Sequence, residues 1–170
     1  MWVIRAVLDN VFLRKRQSIK PAGQYWPIWF FHIDTGGCGG CGMELQALSY
    51  MPYDFHKEGF GFVTTPRAAD ILLVTGPVTR TMSPILEAVW EAMPKDQPSD
   101  FEEEEIRKPQ FNFKGIIIVG ECAINGGIFS ENYAVIGGLE GKVPIDITIR
   151  GCPPTPIDIL NGLRTLFERK

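Results

Sequence analysis

The pattern of hydrophobic and polar positions predicts strands that alternate with helices. Continuous apolar runs of strand length occur at 26–33, 70–75 and 115–120, as expected for strands buried on both faces of a parallel sheet. A short apolar stretch at 61–65 and an alternating stretch at 145–149 predict two further strands, the last one nearer an edge. This order favours an α/β fold with an open, mostly parallel sheet and right-handed crossovers.

Helical periodicity fills the intervals between the predicted strands. Residues 43–51 predict a short helix that ends at Pro52, and Ser83 followed by Pro84 predicts the N-cap and first position of a second helix. The expected buried face of this second helix consists of Ile85, Leu86, Val89, Trp90, Ala92 and Met93.

The last helix has the clearest start signal. Thr155 is predicted to cap it, Pro156 takes the first helical position, and Asp158 is placed for a contact that resembles a capping box. Residues 123–142 are rich in glycine and predict irregular structure. The expected apolar face of the last helix consists of Ile159, Leu160, Leu163, Leu166 and Phe167.

Two segments depart from this pattern. Residues 1–22 form a predicted N-terminal arm, in which apolar residues at helical spacing precede the basic run 14–16. Such an amphipathic helix suits a membrane surface or a groove on a partner, and packing on its own domain is the alternative. Residues 94–114 hold four glutamates at 102–105 and predict an acidic surface excursion, either a solvated loop or a docking surface. The α/β domain is expected to span 23–170.

Composition and charge narrow the class of protein. The 170 residues are enough for one domain with a proper core, and the net charge of −3 offers no basic stripe for nucleic acid. No apolar run reaches the roughly 18 residues of a membrane-spanning helix. Charges at Arg5 and Asp9 interrupt the apolar N-terminus, unlike a secretory signal, and we expect the chain to be cytoplasmic.

The four cysteines are the candidate ligands of a metal site. Cys38 and Cys41 lie in a glycine-rich loop after the first strand, Cys122 follows the strand at 115–120, and Cys152 follows the last strand. Because parallel strands end at the same edge of a sheet, we expect the four thiols to converge there. Disulfides are disfavoured in a cytoplasmic chain.

Four thiolates suit either zinc or an iron–sulfur cluster. Structural zinc sites usually contain two Cys-x-x-Cys pairs, whereas only the pair Cys38 and Cys41 occurs here. Glycine-rich loops also allow backbone N–H groups to approach cluster sulfurs. We therefore favour one cubane [4Fe–4S] cluster, and a zinc-stabilised assembly module is the alternative. A flavin-binding protein is a third alternative that only the fold type suggests. No phosphate-binding loop for a flavin is evident in the sequence.

Other ionisable residues near these loops have less specific signals. Glu44 follows Cys41 by three residues, so it either complements the start of a helix or transfers protons beside a redox centre. Glu121 directly precedes Cys122 and is expected to serve the loop backbone more than the metal. His32 and His56 are isolated in sequence and predict ordinary core or surface histidines.

The cysteine motifs together resemble a known family. This family is the small electron-transfer subunit shared by energy-converting [NiFe]-hydrogenases and respiratory complex I, where it is the subunit of roughly 20 kDa. The resemblance covers about residues 26–168. It rests on four motifs in this order: Gly37-Cys38-Gly39-Gly40-Cys41-Gly42-Met43-Glu44, Gly76-Pro77-Val78-Thr79, Gly120-Glu121-Cys122-Ala123 with Gly126-Gly127, and Gly151-Cys152-Pro153-Pro154-Thr155-Pro156.

The resemblance implies a flavodoxin-like fold and one [4Fe–4S] cluster bound by Cys38, Cys41, Cys122 and Cys152. It implies a catalytic large subunit of the [NiFe] or quinone-site type, a ferredoxin-like iron–sulfur subunit and a membrane-arm subunit as partners. The chain would then be a peripheral subunit on the cytoplasmic face of the cell membrane, in an ion-translocating oxidoreductase whose active site is not on this chain alone. Glu44 matches a glutamate of the family, which supports its proton-transfer reading.

The branch of the family depends on the first motif. Complex I members resemble one another in having two adjacent cysteines, whereas Cys38 and Cys41 have the spacing of the hydrogenase branch. Many hydrogenase members carry an aspartate at the position of Gly42. A hydrogenase-type complex is therefore the first expectation, and a related complex that reduces a quinone or sulfur compounds, or oxidises formate through a partner, is the alternative.

Overall fold

A computed structural model describes residues 27–94 and 115–168 of the chain. The predicted arm at 1–22 and nearly all of the acidic excursion at 94–114 lie outside these described residues. Within the described ranges, no helix is both long enough and apolar enough to cross a membrane.

Seven strands and four α-helices form the described part of the chain. The strands are β1 (Ile28–Asp34), β2 (Phe60–Phe62), β3 (Ile71–Thr75), β4 (Val78–Thr79), β5 (Gly115–Val119), β6 (Val135–Gly137) and β7 (Ile147–Ile149). The helices are α1 (Gly40–Ala47), α2 (Ser83–Ala92), α3 (Glu121–Asn125) and α4 (Pro156–Glu168). Single 3₁₀ turns occur at Phe55–Glu58, Pro66–Ala68 and Gly127–Phe129.

Five of the strands form one parallel sheet in the order β2-β1-β3-β5-β7. Counted along the sheet strands alone, this is the order 2-1-3-4-5 of a flavodoxin-like fold. The predicted α/β class is confirmed, and β7 lies at an edge as its alternating pattern indicates. The order reverses between β1 and β3, so the carboxyl ends of these strands flank the crevice where such folds bind ligands.

The two faces of the sheet are covered unequally. On one face, α1 and α4 bury a dense core that includes Phe30, Leu45, Leu73 and Leu163. On the other face, α2 has no fully buried residue. Of its predicted buried face, Met93 directly after the helix is buried, Leu86, Val89 and Trp90 are half-buried, and Ile85 and Ala92 are exposed.

Several predicted boundaries were wrong. The helix expected at 43–51 begins at Gly40 and ends at Ala47, because Gly39 in the left-handed region (φ 82°) starts it before Cys41. The strands expected at 26–33, 61–65 and 145–149 are β1, β2 and β7, each shorter or displaced by a few residues. Ser83 is the first residue of α2 rather than its N-cap, which is Met82.

The segment at 123–142 is more regular than its glycines predict. It contains the end of α3, a 3₁₀ turn and β6, which pairs antiparallel with β4. Paired strands of two and three residues are too short to produce a recognisable periodicity. The resulting ribbon lies beside the carboxyl ends of the sheet strands because β4 follows β3 closely.

The start of α4 forms as predicted. The Thr155 backbone N–H and hydroxyl donate to Asp158 Oδ2 at 3.2 and 2.6 Å, and the Asp158 N–H donates to Thr155 Oγ1 at 3.3 Å. This reciprocal arrangement satisfies orphan donors of the first turn. It fixes the chain directly after Cys152.

Candidate metal centre

The loop that carries Cys38 and Cys41 is held at the end of β1 by polar contacts. Asp34 Oδ1 accepts hydrogen bonds from the N–H groups of Gly36 and Gly37 at 2.9 and 2.7 Å. The buried hydroxyl of Thr35 lies 3.0 Å from the carbonyl oxygens of both Thr75 and Gly76. These bonds attach the first cysteine loop to the end of the neighbouring strand β3.

Cys41 lies in the first turn of α1 and faces the end of β5. It is half-buried and packs against the core on the α1 side of the sheet. A Cβ atom added at Gly120, directly after β5, would be 2.5 Å from Cys41 Sγ. Only a glycine allows the backbone after β5 to approach this sulfur so closely.

Cys122 lies in the first turn of α3 rather than in an open loop, and its side chain is buried. A Cβ atom added at Gly127 would be 2.8 Å from Cys122 Sγ, so the 3₁₀ turn closes over this sulfur. The backbone N–H of Ile128 hydrogen-bonds this sulfur and lowers its pKa, against the larger opposing effect of burial. A backbone donor therefore reaches a cysteine sulfur, as the glycine-rich sequence predicts.

Cys152 joins this edge through backbone pairing between the ends of β5 and β7. The N–H of Gly120 donates to the Ile149 carbonyl at 2.8 Å, and that of Glu121 donates to the Gly151 carbonyl at 3.0 Å. A Cβ atom added at Gly40 would lie 3.7 Å from Pro153 Cγ, which places the loop after Cys152 beside the start of α1.

Electrostatic coupling shows that the four thiols share one neighbourhood. Burial, followed by the charges of Cys122, Cys38, Cys152 and Asp34, raises the pKa of Cys41 to about 11. Burial, Cys152 and Cys38 also raise the pKa of Cys122. Cys41 and Cys122 therefore need a compensating positive charge to ionise at neutral pH, and a coordinated metal supplies one.

All four cysteines are free thiols. In residues 27–94 and 115–168, no group of three or more His, Cys, Asp or Glu side chains is compact enough for a single metal ion. A tetrahedral zinc site with Zn–S of about 2.3 Å requires sulfurs roughly 3.8 Å apart. The chemistry of four thiolate donors suits either a zinc ion or an iron–sulfur cluster.

The other predicted site residues have different surroundings. Glu44 is half-buried on α1, one turn after Cys41. Glu121 Oε2 lies 3.5 Å from Arg150 Nη1 in a partly exposed ion pair, and this contact fits a structural role in the loop. His56 is exposed in a 3₁₀ turn, whereas His32 is half-buried with its Nε2 2.9 Å from Thr75 Oγ1. Asp34 was not predicted as part of this site, although an aspartate two residues before the pair Gly36 and Gly37 is a turn signal.

Comparison with known proteins points to one family. The family model described as NADH ubiquinone oxidoreductase, 20 kDa subunit, matches residues 38–98 and 101–166. A chain of the membrane-bound sulfane sulfur reductase, an archaeal respiratory membrane complex, is 29% identical with a TM-score of 0.63, over 84% of this chain and 69% of that chain. A chain of an NAD⁺-reducing [NiFe]-hydrogenase is 20% identical with a TM-score of 0.58, over 85% of this chain and 93% of that chain, and it shares the fold.

Proposed function

Because this chain belongs to the family of the 20 kDa subunit of NADH–ubiquinone oxidoreductase, we propose that it is the electron-transfer subunit of a multisubunit oxidoreductase. In this proposal Cys38, Cys41, Cys122 and Cys152 hold one [4Fe–4S] cluster. The observation that carries the proposal is the meeting of four thiols from three strand ends at one edge of the sheet, coupled to one another electrostatically.

The protein residues determine how such a cluster is held. A bound [4Fe–4S] cluster supplies one-electron transfer, and its potential depends on hydrogen bonds to sulfur, burial and nearby charge. Cys41 and Cys122 face the interior, whereas Cys38 and Cys152 are exposed. The Ile128 N–H donates to a ligand sulfur, and the Gly120 backbone keeps the inner side tightly packed. The outer side requires another subunit to exclude water.

Exposed apolar residues follow three of the four cysteines along the chain. Met43, Ile128 and Ile157 are 73%, 82% and 56% exposed, and each follows a cysteine by a few residues. Large apolar side chains held in solvent around a site are typical of protein interfaces. We assign this surface to the catalytic large subunit, which must bring its redox centre close to the cysteines. A ferredoxin-like subunit would exchange electrons at the same edge.

The membrane association of the complex belongs to other subunits in this proposal. Residues 1–22 would dock on the membrane arm through their amphipathic pattern, as an arm separate from the α/β domain at 23–170. The chain would then lie peripherally on the cytoplasmic face of the membrane. The likeness to a chain of a respiratory membrane complex supports this placement.

We infer a hydrogenase-type, ion-translocating complex from the spacing of Cys38 and Cys41, with a sulfur-reducing complex as the second candidate. The second candidate is favoured by the 29% identity to the sulfane sulfur reductase chain. Mass spectrometry of the intact complex would identify its large subunit. Two Cys-x-x-Cys pairs in that subunit, together with hydrogen evolution, support the first candidate. Their loss, together with reduction of sulfane sulfur, supports the second.

The cluster itself is tested on the anaerobically purified complex. We expect about four irons and four sulfides per chain, and an electron paramagnetic resonance signal that appears on reduction. A colourless chain that holds one zinc, and that unfolds on chelation at any redox poise, would instead establish the zinc-stabilised assembly module.

Glu44 provides a separate prediction about proton transfer. We expect Glu44→Gln to slow steady-state turnover of the complex by roughly 100-fold, the range of a lost general acid or base. The resonance signal should keep its amplitude, because α1 and the cysteines are unchanged. Glu131→Gln, an exposed glutamate beyond α3, is the matched control and should retain full turnover. Turnover of the Glu44 variant within twofold of the unaltered complex would restrict this carboxylate to a helix-start role.

A further inference from the structure

Asp34 is an acidic residue beside the cysteines to which the proposed electron transfer gives no role. It is the last residue of β1, lies opposite Thr75 of β3 and is half-buried. Its Oδ1 accepts hydrogen bonds from the N–H groups of Gly36 and Gly37 at 2.9 and 2.7 Å. Because Gly37 directly precedes Cys38, the carboxylate holds the backbone that carries the first cysteine.

The loop that Asp34 holds is rich in glycine. Five of the eight residues at 35–42 are glycines, and glycine loses more conformational freedom on folding than any other residue. Hydrogen bonds to an ionised acceptor are roughly twice as strong as those between neutral groups. The two bonds to Asp34 Oδ1 therefore help to select the one backbone shape that presents Cys38 and Cys41.

The carboxylate is also packed against the end of the neighbouring strand. A Cβ atom added at Gly76, directly after β3, would lie 2.5 Å from both Asp34 Oδ1 and the Gly37 nitrogen. The carboxylate oxygen, the loop amide and the Gly76 backbone are thus in close contact where the strand order reverses. A side chain without an oxygen at position 34 would remove the acceptor of both loop N–H groups.

An amide oxygen could accept the same two bonds, so they do not account for the charge of Asp34. Within residues 27–94 and 115–168, no Lys, Arg or His side chain forms an ion pair with it. Its charge raises the pKa of Cys41 and of Cys122, although burial has the larger effect on both. The charge therefore reaches both inner cysteines and opposes further negative charge there.

We propose that Asp34 is the positioning residue of the first cysteine loop, and that its charge biases the centre held by this loop towards the oxidised form. This inference rests on the proposed function. The hydrogen bonds shape the loop before iron binds, and the charge makes the addition of one electron less favourable. The two roles depend on different properties of one side chain, an acceptor oxygen and a negative charge.

Two substitutions separate these properties in the intact complex. Asp34→Asn keeps an oxygen that can accept the loop N–H groups but has no charge, whereas Asp34→Ala has neither. We expect Asp34→Ala to bind iron roughly 10-fold more weakly, as for loss of other outer-shell partners, and Asp34→Asn to keep its iron. Iron analysis of the anaerobically purified complexes after a graded chelator challenge measures both. Equal loss of iron in the two variants would overturn the positioning by hydrogen bonds.

The midpoint potential at one fixed pH reports the charge. One charge at a separation of about 10 Å, with an effective dielectric constant of about 20, changes the reduction equilibrium by roughly 10-fold. We therefore expect the potential of Asp34→Asn to be about 59 mV more positive than that of the unaltered complex. Redox titration at pH 8 with electron paramagnetic resonance detection measures the difference, and an unchanged potential would overturn the bias.

Asp70→Asn is the matched control because Asp70 makes the same kind of bond at the opposite edge of the sheet. Asp70 directly precedes β3, and its Oδ2 accepts the Trp29 N–H at 2.8 Å. This variant should keep both the iron content and the potential of the unaltered complex. An equal change of potential in Asp70→Asn and Asp34→Asn would contradict a local effect of the Asp34 charge.

Amide hydrogen exchange of the metal-free, full-length chain tests the loop without a cluster. The N–H groups of Gly36 and Gly37 should exchange faster in Asp34→Ala than in the unaltered chain or in Asp34→Asn. Unchanged exchange together with full iron content in Asp34→Ala would overturn the positioning role. A complex without a cluster would overturn the proposed function and the bias with it, whereas the exchange rates would still support or overturn the positioning of the loop.

Discussion

Cys122→Ser is expected to abolish the iron–sulfur centre of this subunit. Cys122 is buried in the first turn of α3, its sulfur accepts the Ile128 N–H, and Gly127 closes over it. Because these contacts fix the sulfur, no other cysteine can replace it. Loss of one outer-shell partner already lowers metal affinity by roughly 10–100-fold. Loss of a ligand should reduce bound iron at least that strongly and remove the resonance signal of the reduced complex.

The control for this variant is Ser130→Ala on the same segment. Ser130 is exposed three residues after Gly127, so its loss should leave the iron content unchanged. Circular dichroism of both variants without metal distinguishes loss of a ligand from loss of the fold. Full iron content in folded Cys122→Ser would remove Cys122 from the ligand set and contradict the proposed centre.

The position of the four cysteines was predictable because it depends on few features of the sequence. Three strongly apolar runs fix β1, β3 and β5, and a parallel sheet places all their carboxyl ends at one edge. Cys38, Cys122 and Cys152 therefore follow β1, β5 and β7, whose carboxyl ends all lie at this edge. The capping box at Thr155 is local in sequence and was predictable for the same reason.

The features that could not be predicted depend on contacts between residues distant in sequence. The pairing of Thr79 with Val135 joins strands of two and three residues in a separate two-stranded sheet, and both strands are too short to show a hydrophobic pattern. The early start of α1 depends on the left-handed backbone of Gly39, one glycine among several in that loop. The face of α2 is only half-buried because of how the other elements cover the sheet. Helical periodicity carries no information about that coverage.

The glycines beside the sulfurs are a stronger constraint than their sequence motif indicates. Gly120 has φ 92° and ψ 151°, a conformation essentially limited to glycine. Its missing side chain is what lets Cys41 reach the end of β5, because an added Cβ would be 2.5 Å from Cys41 Sγ. After loss of a cysteine ligand, we therefore expect the largest effect on the centre from a substitution of Gly120.

Gly120→Ala should destabilise the metal-free chain and impair the centre together. The backbone conformation alone costs about 1–3 kcal/mol with a side chain, and each kcal/mol lowers the melting midpoint of a protein this size by about 2–4 °C. The clash adds to this cost and displaces Cys41, so iron content should fall as well. Thermal unfolding of the full-length chain and iron analysis of the complex measure the two effects.

Gly40→Ala is the matched comparison because Gly40 is also a glycine close to ligand sulfurs and lies between Cys38 and Cys41. Its added Cβ would lie 3.5 Å from Cys38 Sγ, an ordinary contact, and its backbone is already helical. Alanine favours a helix over glycine by up to about 1 kcal/mol, so this variant should be as stable as the unaltered chain and should bind iron. If both variants melt at the same temperature and bind the same iron, close approach of the β5 end to Cys41 does not build the centre. If stability and bound iron fall in Gly120→Ala but not in Gly40→Ala, the glycine backbone determines where a cluster can bind as much as the thiols do.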